Sequence, residues 1–426
     1  MTTHSTGQST GQSTGHSTGH STGHWTRDRI ARLFRALDAH LPSAVALRRD
    51  LHAQPRLSGS EDDTTAMLTK ALGLPDGSVP TGGAVLRIGD PGGPAIGLRA
   101  ELDALPVVEQ TGVPWAATNG AMHACGHDVH MAAAYACART LQEAGGPLPL
   151  VLVLQPREET LPSGAKDIVE SEAFAAHDLR AFLGAHVQPR LPQGSFAATP
   201  GPVNAAADEF SIVVAGRPGH AAYPHLTADP VVAAADLIGT LQHLISRQVD
   251  PTNPTVLTIG SINGGNSPNV VPSTVRMNGI LRTFDENDRV RLHASIESTA
   301  TAVTNIHGCD AQTEVSLGAP VLVNEPTLTT EAGHWIEAAG LTAAPPLRSC
   351  GADDFSYYCP VVPSLMVFVG VGSGGPEEPG LHHPDFLPSD ETVGQVARAM
   401  LAGYVGACAT ILDLPGPADV ALAVEA

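Results

Sequence analysis

A chain of 426 residues, 42% hydrophobic and 15% charged, has material for two or three domains with substantial cores and falls outside the disordered class. Its 23 Lys and Arg against 43 Asp and Glu leave a formal charge of −20, which argues against nucleic acid or an anionic membrane as the main partner. No apolar run reaches the ~20 residues of a bilayer span, no basic and apolar leader is visible, and six cysteines are too sparse for a disulfide framework, so a cytoplasmic location is expected.

Residues 4–23 repeat a four-residue unit, HSTG or QSTG, that has no apolar face to bury; residues 1–24 are expected to be a flexible tail. From Trp25 the pattern becomes globular. Residues 27–53 carry Ile30, Leu33, Leu37, Leu41, Leu47 and Leu51 at helical intervals, with Pro42 expected to separate two helices. Ser60 before EDDTTAMLTKAL is expected to cap a further helix. AVLRIG and AIGLRAELDALP read as strands, and HDVHMAAAYACARTLQEAG as a helix ending at Gly145. LPLVLVLQ and LRAFLGAHV are apolar runs suited to strands buried on both faces, separated by the helical AKDIVESEAF. This alternation predicts an α/β domain with a central, mostly parallel sheet flanked by helices.

PGPVN at 200–204 is expected to be a turn-rich joint. Beyond it come strand, helix, two strands, helix and strand, the order of a split βαβ (ferredoxin-like) unit. The earlier pattern then resumes through SLMVFVGVG to an alanine-rich C-terminal helix. The expected organisation is therefore a catalytic domain formed by residues 25–203 and 319–426, interrupted by an inserted domain at 204–318.

Four stretches concentrate metal-type ligands near strand ends. MHACGHDVH holds Cys125 and His127, with His123 and His130 beside them; LQPREET holds Glu158 and Glu159; GAHV holds His186; GLHHPDF holds His382 and His383. Thiolate, imidazole and carboxylate suit zinc and similar ions, and open α/β sheets bind ligands at the carboxyl ends of their strands.

In order along the chain, LRAELDALP, MHACGHDVHMAA, QPREE, GAHV, GHAAYPHLTADP, NVVP, GADDFS and LHHPDF resemble the metal-dependent amidohydrolases that cleave N-acyl amino acids, within the aminoacylase/carboxypeptidase superfamily. That group includes hippurate hydrolases, auxin–amino acid conjugate hydrolases and bacterial aminoacylases. The resemblance runs from about Leu47 to Pro388. It implies two divalent ions per subunit held by Cys125, His127, Glu159, His186 and His382, with Cys125 bridging. Zinc leads as the metal, with manganese, cobalt and nickel as alternatives. It implies Glu158 as general base, Asp103 as the carboxylate orienting a ligand histidine, and His220 as a histidine reaching a partner subunit's site. Asn269 and Arg282 match substrate-contacting positions, a structural ion pair being the other reading of Arg282.

The implied activity is hydrolysis of N-acyl or aryl-acyl amino acid conjugates. A dipeptidase or N-acetyl-amino acid deacetylase of the same superfamily is the alternative. The expected partners are a small-molecule N-acyl amino acid and a second copy of the chain, the inserted domain serving as lid and dimerisation surface. Four positions depart from the family pattern: Arg157 where alanine is usual, Asp353 where glutamate is usual, Pro218 before Gly219 and His220, and Arg56 in PRLS. Arg157 and Asp353 bear on substrate preference.

Overall fold

The computed structural model describes residue 1 and residues 25–75, 77–375 and 378–420. The repeat at 4–23, expected to be flexible, lies outside the described residues. In chain order the elements are α1 (Arg27–Ala53), α2 (Asp62–Leu72), β1 (Ala84–Ile88), β2 (Pro94–Glu101), α3 (His127–Ala144), β3 (Leu150–Gln155), α4 (Gly164–Val169), α5 (Glu172–Ala175), β4 (Asp178–Pro192), β5 (Ser195–Ala197) and β6 (Gly201–Asn204). There follow β7 (Ala206–Ala215), β8 (Gly219–His220), α6 (Pro230–Gln248), β9 (Thr255–Gly264), β10 (Val270–Val271), β11 (Thr274–Thr283), α7 (Glu286–Ile306) and β12 (Asp310–Ser316). The chain returns through β13 (Leu322–Asn324), α8 (Pro326–Ala338), β14 (Thr342–Ala343), β15 (Ser364–Gly372) and α9 (Glu391–Ala409).

Among the described residues the larger sheet has the order β1-β3-β2-β4-β15-β5-β14. Its centre, β3, β2, β4 and β15, is parallel throughout, and β1 closes one edge antiparallel. The apolar run of β3 explains its central place. Leu150, Leu152 and Leu154 face the layer of α1, α3, α8 and α9, while Val151 and Val153 face Phe182, Phe355 and Tyr358 on the other side. Each such side chain contributes roughly 1.5–3 kcal/mol when fully buried, so neither face tolerates exposure. Gly97 on β2 lets the Phe182 ring lie against the strand; a Cβ there would stand 2.1 Å from the ring.

The second sheet, β12-β7-β11-β9, is antiparallel throughout and covered on one face by α6 and α7. Its alternating burial along β7 and β11 leaves the opposite face open. The central parallel sheet and the split βαβ order both agree with the sequence reading.

Three local expectations are corrected. Residues 27–53 form one continuous helix, with Pro42 inside it. Pro42 sits on the exposed face, where its ring displaces no core side chain, and the Ser43 hydroxyl donates to the His40 carbonyl in the disturbed turn. Ser60 does not cap α2; the N-cap is Glu61, whose carboxylate is engaged elsewhere. Residues 201–204 are not a free turn but strand β6, paired antiparallel with β13. The outgoing and returning crossings between the two sheets are thus hydrogen-bonded to each other.

Candidate metal centre

The site grows from the carboxyl ends of the parallel strands. β2 runs out through Glu101 into Asp103, β3 into Glu158 and Glu159, and His186 lies within β4. Cys125 is on the turn before α3, and His127 opens that helix. Gly126 between them has φ +84°, and a Cβ there would meet the Val187 side chain at 2.5 Å. Only glycine lets this turn press against β4 and bring Cys125 to His186. His382 projects from the loop after β15, itself in the left-handed region with φ +67°.

These side chains converge. Cys125 Sγ is 3.5 Å from His186 Nε2. His127 Nε2 is 3.8 Å from the Glu158 carboxylate and 4.0 Å from Glu159 Oε1, and His382 Nε2 is 3.3 Å from Glu159 Oε1. His127 Nδ1 donates to the Asp103 carbonyl at 2.9 Å, and His186 Nδ1 to the Val187 carbonyl at 2.7 Å. These bonds fix each ring with Nε2 turned toward the cluster. Burial, then the adjacent His130, lowers His186 to about 4, which keeps it neutral.

His127 Nε2 and Glu159 Oε1 are buried without a hydrogen-bond partner. Leaving such atoms unmade costs about 1–3 kcal/mol each. Their coincidence at one point, beside a thiol and two further imidazoles, is the donor set a borderline divalent ion completes. The residues present therefore fit a metal centre.

Around the donors lies a support layer. Asp103 Oδ2 accepts from the Ser58 hydroxyl at 2.7 Å and from the Glu159 backbone N–H at 2.9 Å. Burial works to raise the Asp103 pKa, but contact with His127 and these two donors outweighs it and holds the group at about 2. Glu158 stands in contrast: burial, then the neighbouring Asp353 and Glu159, raise its proton affinity well above the ordinary carboxylate range.

Beneath Glu158 lies Arg99, 1% exposed, a residue the sequence reading did not single out. Its guanidinium meets Glu101 at 2.7 Å, Asp354 at 2.8 Å, Asp353 at 3.0 Å and Gln155 Oε1 at 3.0 Å. Asp354 also accepts from Gln155, Ser163 and Ala165. Burial, against the pull of Arg99, raises Asp354 to about 7. Glu101 accepts from His130 Nδ1 at 3.2 Å, and His130 Nε2 accepts the Val187 N–H at 3.0 Å. Glu101 and His130 are thus fully engaged and buttress His127 and His186 rather than bind an ion. The signal was present in LRAELD, where Arg99 and Glu101, two apart, share one face of a buried strand.

Two departures find their place. The Arg157 guanidinium turns away from the donors toward Thr81, Pro162 and Asp167. Asp353 is bound to Arg99 and caps the short turn that follows, accepting from the Phe355 N–H. It also lines two cavities. One, of about 240 Å³, contains Cys125, Glu158, Glu159, His186 and His382. The other, of about 320 Å³, runs from Glu158 and Glu159 to Arg282 on β11.

The single chain thus gathers Asp103, Cys125, His127, Glu158, Glu159, His186 and His382, with Arg282 on the far wall. It does not gather His220 and Asn269. Those two lie together at the short β8–β10 ribbon beside the second sheet, where the Ala221 N–H donates to the Asn269 carbonyl. His220 is exposed, and neither residue lines the two cavities beside the donors.

A parallel-sheet edge carrying thiol, imidazole and carboxylate donors around a further buried carboxylate defines a metal-dependent hydrolase. The chain belongs to peptidase family M20/M25/M40, whose sequence profile matches residues 97–405. It is 35% identical over 356 residues to the N-acetyl-L-cysteine deacetylase of Bacillus subtilis (strain 168), covering 82% of this chain and 84% of that one. It is 34% identical over 369 residues to the N-acetyldiaminopimelate deacetylase of Geobacillus sp. (strain WCH70), covering 85% and 96%. Among solved structures, Bacillus subtilis YXEP, described as a dinuclear metal binding peptidase of the M20 family, superposes with a TM-score of 0.75 at 29% identity, covering 86% and 99%. The chain is a metallo-amidohydrolase.

Proposed function

We propose that the chain deacylates N-acyl amino acids, with small acyl groups such as acetyl preferred, releasing a carboxylic acid and a free amino acid. The unpartnered Nε2 of His127, 4.0 Å from Glu159 Oε1 and 3.8 Å from the Glu158 carboxylate, carries the hydrolytic part of this reading. The names of the two curated relatives support a deacetylase more than a hydrolase of hippurate-like or auxin-type aryl conjugates, which the sequence had placed first.

Cys125, His127, Glu159, His186 and His382 would hold two divalent ions, zinc leading and manganese, cobalt or nickel as alternatives. Bound there, the ions supply Lewis acidity to the amide carbonyl and to water. Glu158 takes the proton of the attacking water and returns it to the leaving amine, a task suited to a carboxylate whose surroundings raise its proton affinity. Asp103 holds the His127 turn and the Glu159 backbone in register. Arg282 faces the cleft as an anchor for the substrate carboxylate.

Residues 204–318 act in this reading as lid and pairing domain, and the partner's His220 and Asn269 complete the site of a homodimer. Exposed Tyr223, Leu226, Val231, Val232, Ile262 and Val270 on that unit support such a surface. The six cysteines are all free, which supports a reducing compartment, and no helix of the described residues is long and apolar enough to cross a membrane.

The test is turnover of N-acetyl amino acids, benzoyl amino acids and dipeptides by protein loaded with each metal in turn. Acetylated substrates should show the highest kcat/KM. Faster benzoyl hydrolysis would restore the aryl-acyl reading, and cleavage confined to dipeptides would make the chain a peptidase.

A further inference from the structure

The turn carrying Glu158 begins at Arg157, whose φ of +50° lies in the left-handed region. A non-glycine residue keeps that conformation only when its surroundings impose it. The Arg157 N–H donates to Glu61 Oε1 at 2.8 Å, and its carbonyl accepts the Gly164 N–H at 3.2 Å. The guanidinium donates to the Thr81 carbonyl at 2.6 Å and the Pro162 carbonyl at 3.4 Å, and pairs with Asp167 on α4. The side chain passes over two glycine turns. A Cβ on Gly82 would stand 3.7 Å from the guanidinium, and one on Gly59 would stand 4.0 Å from Cδ.

Two residues further on, Asp103 receives the Glu159 N–H. The backbone on each side of Glu158 is therefore hung on a buried carboxylate, Glu61 before it and Asp103 after it. Among the described residues the Glu158 carboxylate itself makes no hydrogen bond, so its aim is set by the backbone from which it projects. Asp103 is already committed to the His127 side of the site. The Arg157 anchor belongs to no donor and faces no cavity beside the donors.

We propose that Arg157 is a positioning residue for Glu158: its side chain, tied to Thr81, Pro162 and Asp167, fixes the left-handed residue that directly precedes the glutamate. This rests on Glu158 being the general base. The cation that stood in the sequence as a candidate for substrate preference acts on the turnover step instead. A misplacement of about 1 Å in a reacting group costs on the order of 100-fold in rate.

The experiment uses the full-length, metal-loaded protein and three variants, Arg157→Ala, Arg157→Gly and Arg157→Lys. Glycine adopts the left-handed conformation freely, so Arg157→Gly removes the anchor without adding strain. Ala and Gly variants should lose roughly ten- to a hundredfold in kcat, counted per folded molecule. KM and metal content should stay within about twofold, and Lys should recover part of the loss. If the Ala and Gly variants do not fold, Asp167→Asn, which removes only the outer partner, should give a smaller loss with the same split. Unchanged kcat in Arg157→Gly, or in Asp167→Asn where that is the variant measured, would overturn the proposal, as would a loss confined to KM or to metal content. Glu158→Gln is measured alongside. Normal turnover there would remove the general base, whereas an inactive Glu158→Gln beside a fully active Arg157→Gly would reject the positioning role alone.

Discussion

The strand-end cluster and the region that carries His220 and Asn269 are built in opposite ways. The strand-end cluster is buried, its imidazole rings fixed by backbone carbonyls and its carboxylates held by Arg99, Ser58 and backbone amides. His220 and Asn269 are exposed at the short ribbon beside the second sheet, apart from both cavities beside the donors. Binding of an ion needs donors preset within tenths of an ångström, whereas a group that acts after substrate arrives has to be movable or supplied by another chain. The contrast separates a buried cluster gathered within one chain from two exposed residues that the chain alone does not bring to it.

The sharpest way to break this contrast is to disable each region in turn. Glu158→Gln should keep fold and metal and lose activity by a factor of about 10²–10⁴. Full turnover with full metal content would remove the buried cluster's claim to the chemistry. Mixing inactive Glu158→Gln and inactive His220→Ala chains should then restore activity toward about a quarter of wild type, since half the dimers are mixed and each has one intact site. Mixed dimers that stay silent would place His220 outside the partner's site.

Metal content probes the buried cluster alone. Cys125→Ser should weaken metal retention by roughly 10–100-fold or more, as loss of a supporting group already does that much. Cys137→Ser should leave it unchanged, because the Cys137 thiol is buried in the core and donates to the Ala397 carbonyl. Equal metal loss in both would make Cys125 a packing residue. Burial pushes the Cys125 thiol well up, so it is a poor nucleophile unless a cation converts it to thiolate.

The smallest expected effect concerns how the second sheet is held. Asp208 on β7 is 2% exposed and receives Arg289 at 2.6 Å, His293 at 2.7 Å and the Gly318 N–H at 3.0 Å. Burial would raise Asp208, but these bonds win and its pKa falls below the ordinary 3.8. A carboxylate lowered on folding adds stability above its unfolded pKa and loses it as pH drops through the folded value. Thermal unfolding of the second sheet should therefore fall off in acid below about pH 4, the ordinary carboxylate range. Asp208→Asn should lower stability at neutral pH and flatten that acid dependence. An unaltered profile would show that the pair does not secure this unit.

The buried cluster was legible because its donors sit in short runs with unusual neighbours: Cys125 and His127 two apart, Glu158 next to Glu159. Arg99 was overlooked because LRAELDALP was read for strand character and for Asp103, although two opposite charges on one face of a buried strand require partners. Pro42 misled because a proline on the solvent face bends a helix without ending it. The 200–204 segment misled because β6 exists only through pairing with a strand more than a hundred residues away. His220 and Asn269 share a loop cluster here, but sequence contains no distance to another chain.

That β6–β13 pairing has a mechanical meaning. Two units joined by independent tethers would swivel in any direction, whereas crossings stitched side by side leave essentially one axis of rotation. Asn204, the last residue of β6, also walls the cavity that holds Cys125, His186 and His382, and its buried side-chain oxygen has no hydrogen-bond partner. The joint between the two sheets is therefore also a wall of the cavity beside the donors, so any rotation about it would reshape that cavity directly.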